Sequence, residues 1–291
     1  MKITNACWLN FIFFCSCLAS AQEHRRFLSF DVPGAIDMGP TSITPDGKIT
    51  GLYTSADGHQ HGFLLNHGKY QTIDFPGSIE TGARWINRRG EIVGEYTDSS
   101  GKIHGFLLAR GRFTSFDYPG ADSTTAFGIG TNGDIVGPYT TLPFTFHGFL
   151  LREGNFTEIE YPGAMWTLPT MTVGQRIVGG YIDDRFTSHG FLADHGVFQE
   201  VACPGYNNVF LSGLNSLGDM TGGFNSSDGV LHGLLVENST CISIAYPGST
   251  STYANAEDPG SRNIVGRYTD TRGKAHGYLL VSEDDDEARQ F

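Results

Sequence analysis

Short apolar runs alternate with glycine, proline and polar turns along this chain, and the same run keeps returning. HGFLLARGRFTSFDYPGA, from His104 to Ala121, repeats HGFLLNHGKYQTIDFPGS at His61 and is repeated by HGFLLREGNFTEIEYPGA at His147. Weaker copies begin at His189, His232 and His276. A Pro-Gly pair closes each unit, at Pro33, Pro76, Pro119, Pro162, Pro204 and Pro247, with spacings of 43, 43, 43, 42 and 43. A period this regular marks a repeat architecture. Within one unit, Thr124 to Ile129 predicts a first strand and Thr131-Asn132-Gly133-Asp134 a tight turn, because Asn-Gly supplies the positive φ a hairpin needs. Ile135 to Thr140, His147 to Leu151 and Phe156 to Tyr161 predict three more strands, and Pro162 ends the last because proline cannot donate to a ladder.

The second and third strands are apolar on both faces, as at Ile135 and Val136 and at Phe149, Leu150 and Leu151. A sheet buried on both sides must lie between neighbours. Four-stranded units of this length, stacked face to face, predict an all-β fold, a six-bladed β-propeller. A linear β-solenoid is the alternative, but its units are shorter and need caps at both ends. Phe27 to Gly34 matches the fourth strand of a unit, as at Phe113 to Gly120, and the last unit stops after its third strand. The N-terminal strand is therefore expected to complete the last blade and close the ring.

Composition narrows the picture. Glycine fills 39 positions and charged residues 17%, which fits neither a disordered nor a helical chain. The formal charge of −12, with no basic cluster, argues against nucleic acid and anionic membrane surfaces. Lys2, the apolar stretch Ala6 to Ala19 and Ala19-Ser20-Ala21 form a secretory signal pattern over residues 1–21. No other run approaches membrane-spanning length. The propeller is assigned to 22–281, and 282–291 is an acidic, solubilising tail. A secreted location, extracellular or periplasmic, follows. Of the five cysteines, Cys203 and Cys241 lie outside the leader. An oxidising compartment permits their disulfide, but they fall at different positions of adjacent units, so two separate buried thiols are expected.

The pattern PGA…INxxGxIVGxYxDxxGxxHGFLLxxGxFTxFDxPG resembles the HAF-type extracellular repeat of bacterial secreted proteins over residues 27–281, with His-Gly-Phe in place of His-Ala-Phe. The resemblance implies a secreted repeat protein and carries no established activity.

The histidines His61, His104, His147, His189, His232 and His276 invite a metal or catalytic reading. Strand geometry opposes it. One histidine per blade on the third strand, about 10 Å outside the innermost one, forms a wide ring, whereas zinc needs ligands within about 2.1 Å of one point. A structural role is expected instead. Ser55, Asp98, Thr141, Asp183, Ser226 and Asp270 stand six residues before the histidines, where each can bond the imidazole. On that pairing the aromatic at Tyr53, Tyr96, Tyr139, Tyr181, Phe224 or Tyr268 faces the residue two after the histidine. Asp31, Asp74, Asp117 and Glu160, two residues before the proline, read as solvated residues that discourage edge pairing. Turn chemistry accounts for Asp57 and Asp184, and Asn155, Asn225 and Asn238 begin glycosylation sequons.

Phosphate loops, nucleophile elbows and zinc-protease motifs are absent from the sequence. No cofactor is called for. What varies between units is the residue eight past each proline: Thr41, Arg84, Phe127, Thr170, Ser212 and Asn255. If the first strand is innermost, these line the channel as ligand-reading or filling residues. Trp85 and Trp166 are further candidates for stacking on a sugar face. Short loops and near-identical units point to a non-catalytic binding module for an extracellular glycan or surface protein. The alternative is a hydrolase, lyase or lactonase at the channel mouth, using Arg84 and Asn255.

Overall fold

The computed structural model describes residues 25–141 and 145–282. The predicted leader and the tail from residue 283 onward lie outside them. After β1 (Arg25–Phe30), blade 1 comprises β2 (Asp37–Ile43), β3 (Ile49–Thr54), β4 (Gln60–Asn66) and β5 (Lys69–Ile73). Blade 2 has β6 (Glu80–Ile86), β7 (Ile92–Thr97), β8 (Ile103–Ala109) and β9 (Arg112–Phe116). Blade 3 has a divided inner strand, β10 (Ser123–Thr124) and β11 (Gly128–Ile129), then β12 (Ile135–Thr141), β13 (Thr145–Arg152) and β14 (Asn155–Ile159). Blade 4 has β15 (Trp166–Val173), β16 (Arg176–Ile182), β17 (Ser188–Asp194) and β18 (Val197–Val201). Blade 5 has β19 (Asn207–Leu214), β20 (Met220–Asn225), β21 (Leu231–Glu237) and β22 (Thr240–Ile244). Blade 6 has β23 (Ser251–Glu257), β24 (Ile264–Thr269) and β25 (Ala275–Ser282), and its outer strand is β1.

The chain is thus a six-bladed β-propeller, closed by β1 pairing antiparallel with β25 from Arg25↔Ser282 to Phe30↔Gly277. The predicted strands hold, except that the continuous first strand expected over Thr124 to Ile129 is interrupted between Thr124 and Gly128. Asn132-Gly133 forms the expected turn, with Gly133 at φ 95°. The core is built from the residue two past each repeated histidine. Phe63, Phe106, Phe149, Phe191, Leu234 and Tyr278 are all fully buried. Directly across from them, on the second strand, stand Gly51, Gly94, Gly137, Gly179, Gly222 and Gly266.

Those glycines have a second neighbour. The inner strand of five blades carries a β-bulge, between Pro40 and Ser42, Ala83 and Trp85, Pro169 and Met171, Leu211 and Gly213, and Ala254 and Ala256. The glycine lies opposite each bulge, where the inner-strand backbone swings toward the second strand. A Cβ on Gly94 would lie 1.8 Å from the carbonyl oxygen of Gly82, and one on Gly137 1.9 Å from that of Thr125. This close approach is why the I-V-G triplet recurs.

Adjacent blades meet through aromatic rings. The residue before each Pro-Gly packs on the aromatic of the next blade's outer strand: Phe75 on Phe113 at 5.3 Å, Tyr118 on Phe156 at 5.3 Å, Tyr161 on Phe198 at 5.5 Å and Tyr246 on Phe27 at 5.0 Å between ring centroids. Between blades 4 and 5 these two positions are Cys203 and Cys241, and they form a disulfide with Cα atoms 5.8 Å apart. The expectation of separate thiols is therefore corrected. The two cysteines do occupy different positions of adjacent units, but those positions also touch at four other blade boundaries.

Two stability tests follow. Gly94→Ala should cost at least about 2 kcal/mol, since the clash is with backbone that cannot rotate away; urea denaturation of the variant against Ser99→Ala, in an exposed loop, checks it. Reducing Cys203–Cys241 should cost roughly 3–4 kcal/mol, the loop entropy of a cross-link of this span; melting with and without reductant, with Cys203→Ser as control, reads it directly.

Candidate functional site

On the face that carries the fourth-to-first turns and the second-to-third loops, called here the upper face, the repeated histidines sit in a built frame. Nδ1 of His61, His104, His147 and His276 donates to Asp74, Asp117, Glu160 and Asp31, each at 2.9 Å. The acids expected to be solvated edge residues are therefore the partners of the histidines, which corrects that reading. They follow the outer strand, one strand-spacing from the third, so the hairpin delivers them to the ring. In blade 4 Ala202 replaces the acid, and Glu200 bonds His189 at 3.2 Å. Nε2 meets the residue six positions earlier, as expected: Ser55 at 3.2 Å, Asp98 at 3.1 Å, Thr141 at 3.5 Å, Asp183 at 3.2 Å and Asp270 at 3.5 Å. A carboxylate only accepts, so in blades 2, 4 and 6 both bonds form together only with the ring doubly protonated.

The aromatic partner differs from expectation by two residues. Tyr53, Tyr96, Tyr139, Tyr181, Phe224 and Tyr268 lie directly across from the histidines and stack on them at 4.7–5.6 Å. The hydrogen-bonding residue reaches the ring from the loop, not from the ladder. Each tyrosine hydroxyl is bonded in turn by the outer strand, nineteen residues on in blades 1 to 4, as Tyr96 to Ser115 at 2.9 Å and Tyr139 to Glu158 at 2.7 Å, and by Ser29 of β1 at 2.8 Å for Tyr268. Blade 5 has neither the hydroxyl nor the acid, having Phe224 and Ala245, and there the Ser226 hydroxyl bonds Asp228 and the carbonyl of Val230 instead. His147, Glu158 and Glu160 bring three ligand atoms within 4.8 Å of one another. Tyr139 and Thr167 already donate to these glutamates, as does His147, so the trio is part of the frame.

The six channel positions fall on the bulges. Thr41, Arg84, Thr170, Ser212 and Asn255 are the bulged residues, and Phe127 lies in the gap of blade 3. Four of them donate to the carbonyl that precedes the next blade's bulged residue. Thr41 Oγ1 reaches Ala83 at 3.1 Å, Thr170 Oγ1 reaches Leu211 at 3.0 Å, Ser212 Oγ reaches Ala254 at 3.0 Å, and Asn255 Nδ2 reaches Pro40 at 2.8 Å. Arg84 instead forms a bidentate pair with buried Glu95, Nε at 2.8 and 2.9 Å from its two oxygens, and lies 5.4 Å over the Phe127 ring. Asn255 also lines an upper-face hollow of about 340 Å³ with Leu231, Ser251, Tyr253 and Arg267. Burial raises the Tyr253 hydroxyl to about 12, so it stays a donor. Arg267 is exposed at its rim.

Blade 4 departs from the repeat on the same face. Gly58, Gly101, Gly229 and Gly273 turn their second-to-third loops with φ of 81–88°. The matching residue in blade 4 is Phe186, held at φ 61° with 67% of its surface exposed. Its ring packs edge-on to Trp166 at 6.0 Å, and Trp166 packs on Phe146 at 5.4 Å. Trp85, the other tryptophan singled out, is buried on the opposite side of the channel. There the first-to-second turns of all six blades enclose a second cavity of about 230 Å³, lined by Trp85 and Glu257 among others. Sequence comparison between units could have found Phe186, which stands in a glycine column. It could have found Glu257 as well, which stands where Ile43, Ile86, Ile129 and Leu214 stand in other blades.

Neither a protein-family model nor a curated protein matches this chain in sequence. Solved structures match its fold. The six-bladed lectin of Aleuria aurantia, described by its novel fucose recognition, is 12% identical with a TM-score of 0.56, over 88% of this chain and 95% of the lectin. AofleA from Arthrobotrys oligospora is 11% identical with a TM-score of 0.53, over 88% and 86%. A TolB protein of Agrobacterium tumefaciens is 12% identical with a TM-score of 0.56, over 84% and 90%. At these identities the likeness is one of fold.

The histidine frame sets an acid limit. Asp98 is held below its ordinary 3.8, chiefly by the Ser100 hydroxyl and then by His104. Asp183 and Asp270 are lowered chiefly by the backbone N–H groups of Thr187 and Lys274. A carboxyl depressed in the fold stabilises fully above its unfolded value and loses that contribution as pH falls through the folded one. The melting temperature should therefore drop as pH falls below about 4, and the drop should be shallower in Asp98→Asn; scanning calorimetry at a series of acid pH values checks it.

Proposed function

We propose that the protein is a secreted, non-catalytic module that binds extracellular carbohydrate on its upper face. The observation that carries this reading is Phe186. A bulky residue in the left-handed region costs about 1–2 kcal/mol, its ring is left to solvent, and four other blades place glycine there. Its one ring contact is edge-on to Trp166. Strain kept at an exposed aromatic is the mark of a residue held for a ligand. Backed by Trp166 and Phe146, the ring offers the flat apolar surface that packs on the C–H face of a pyranose. On the same face, between blades 5 and 6, the hollow supplies polar groups, the Arg267 guanidinium, the Asn255 amide and the Ser251 and Tyr253 hydroxyls. These can meet hydroxyls of another sugar unit of the glycan.

Other observations support the reading. The leader pattern and the Cys203–Cys241 disulfide fit an oxidising, extracytoplasmic compartment. The repeat resembles the HAF-type extracellular repeat. Among similar folds, the Aleuria aurantia lectin has been solved with α-methyl-L-fucoside. Arg84, a residue an enzyme at the channel mouth would need, is committed to Glu95.

A glycan array that includes fucosides, followed by calorimetry on each hit, tests this. Phe186→Gly restores the residue of the other blades, so it should stabilise the fold by about 1 kcal/mol. The same change should weaken glycan binding roughly tenfold or more, as loss of a stacking ring does. Arg267→Ala should weaken binding with no change in melting. Binding unaltered in both variants, or product released by the parent protein, would overturn the proposal.

A further inference from the structure

The cavity on the opposite face contains a group the fold does not explain. Glu257 ends β23 at the position that Ile43, Ile86, Ile129 and Leu214 hold in other blades, and only 1% of its side chain is exposed. Oε2 accepts a hydrogen bond from Asn215 Nδ2 at 2.8 Å. Oε1 is buried with no hydrogen-bond partner. Arg262 has Nε 3.5 Å from it but directs its other two nitrogens to Asp219, at 2.9 Å, and to Glu237. Asp258 follows in the chain and accepts from its own turn, at Gly260 and Ser261. Arg25 on β1 is the remaining cation that acts on Glu257, and Arg88 lies at the cavity rim. Among the described residues four acids thus face three guanidinium groups, and the acid with an unbonded oxygen is one that lines the cavity. An isoleucine would fill this place at no electrostatic cost, so an uncompensated buried carboxylate needs a reason.

We propose that this cavity binds a small protonated amine with an apolar body, the ammonium group pairing with the Glu257 carboxylate. The walls suit such a ligand. Ile43, Ile86, Trp85, Ile129, Met171 and Leu214 line the cavity and enclose the body. The volume of about 230 Å³ admits a molecule of a few carbon atoms. Burial and the nearby Asp219 and Asp258 push the Glu257 carboxyl up to about 8, against the lowering effect of Arg25 and of Asn215. The empty site therefore holds a proton at neutral pH. An ammonium ion supplies the missing counter-charge and expels that proton, so binding and proton release are one event. The site uses none of the upper-face residues and stands independently of carbohydrate binding there.

The test is titration calorimetry of the full chain with n-butylammonium, beside butan-1-ol and butyrate as controls of the same shape. Butylammonium should bind one per chain, with a heat that depends on the ionisation enthalpy of the buffer near neutral pH, and the two controls should not bind. Glu257→Gln should weaken binding roughly tenfold or more, while Glu257→Ile should abolish it and raise the melting temperature, more so at pH 9 than at pH 5, because a carboxyl raised in the fold from 4.5 to about 8 costs stability progressively as pH climbs between those two values. Butanol binding as well as the amine, binding unchanged in Glu257→Gln, or no binding by the parent would each overturn the proposal.

Discussion

The propeller depends on how closely its inner strand approaches the strand behind it. The bulge at Thr41, Arg84, Thr170, Ser212 and Asn255 turns the inner backbone outward, and a carbonyl oxygen then occupies the space where a Cβ would stand on Gly51, Gly94, Gly179, Gly222 or Gly266. Only glycine satisfies that geometry. The same bulge aims one side chain along the ring instead of across it. Four of the six reach the next blade's carbonyl, so one local irregularity both narrows the blade and ties it to its neighbour.

The outer half of each blade is fixed by a different device. An aromatic of the preceding blade lies flat on the second-strand aromatic, as Phe75 on Tyr96 at 3.7 Å, and that ring stacks on the histidine. The histidine is locked by an acid on one side and a loop residue on the other. Where one partner changes, another changes with it. Glu200 serves both Tyr181 and His189 once Ala202 removes the usual acid, and a disulfide takes over where two rings are absent. The boundary is conserved as a function across the blades, even where its atoms differ.

The sequence displays the period, the glycine turns, the closing strand and the residue that bonds the histidine Nε2 in five of the six blades, because all of these are set by spacing along one chain. Contacts between units are less visible. Cys203 and Cys241 look mismatched until the partner of Phe113 is seen to be Phe75, one repeat earlier. The acids look solvated because nothing in their spacing says that the outer strand folds them back beside His104. A two-residue error in aligning Tyr96 has the same origin: equal hydrogen-bonding chemistry in a loop and in a ladder cannot be separated by distance in sequence. Phe186 and Glu257 were legible all along, as single letters out of place in columns of glycine and isoleucine.

The belt of bulge residues is not uniform around the circle. It is hydrogen-bonded from blade 4 through blades 5 and 6 to blade 1 and on to blade 2, and the disulfide reinforces the same arc. On the far side Arg84 and Phe127 make no such link, and there the inner strand of blade 3 is itself divided. The ring is a bracelet with a strong clasp and a compliant link opposite it. Local opening follows the arc with the fewest cooperative ties, so the break in this belt at blade 3 is where opening is expected to start.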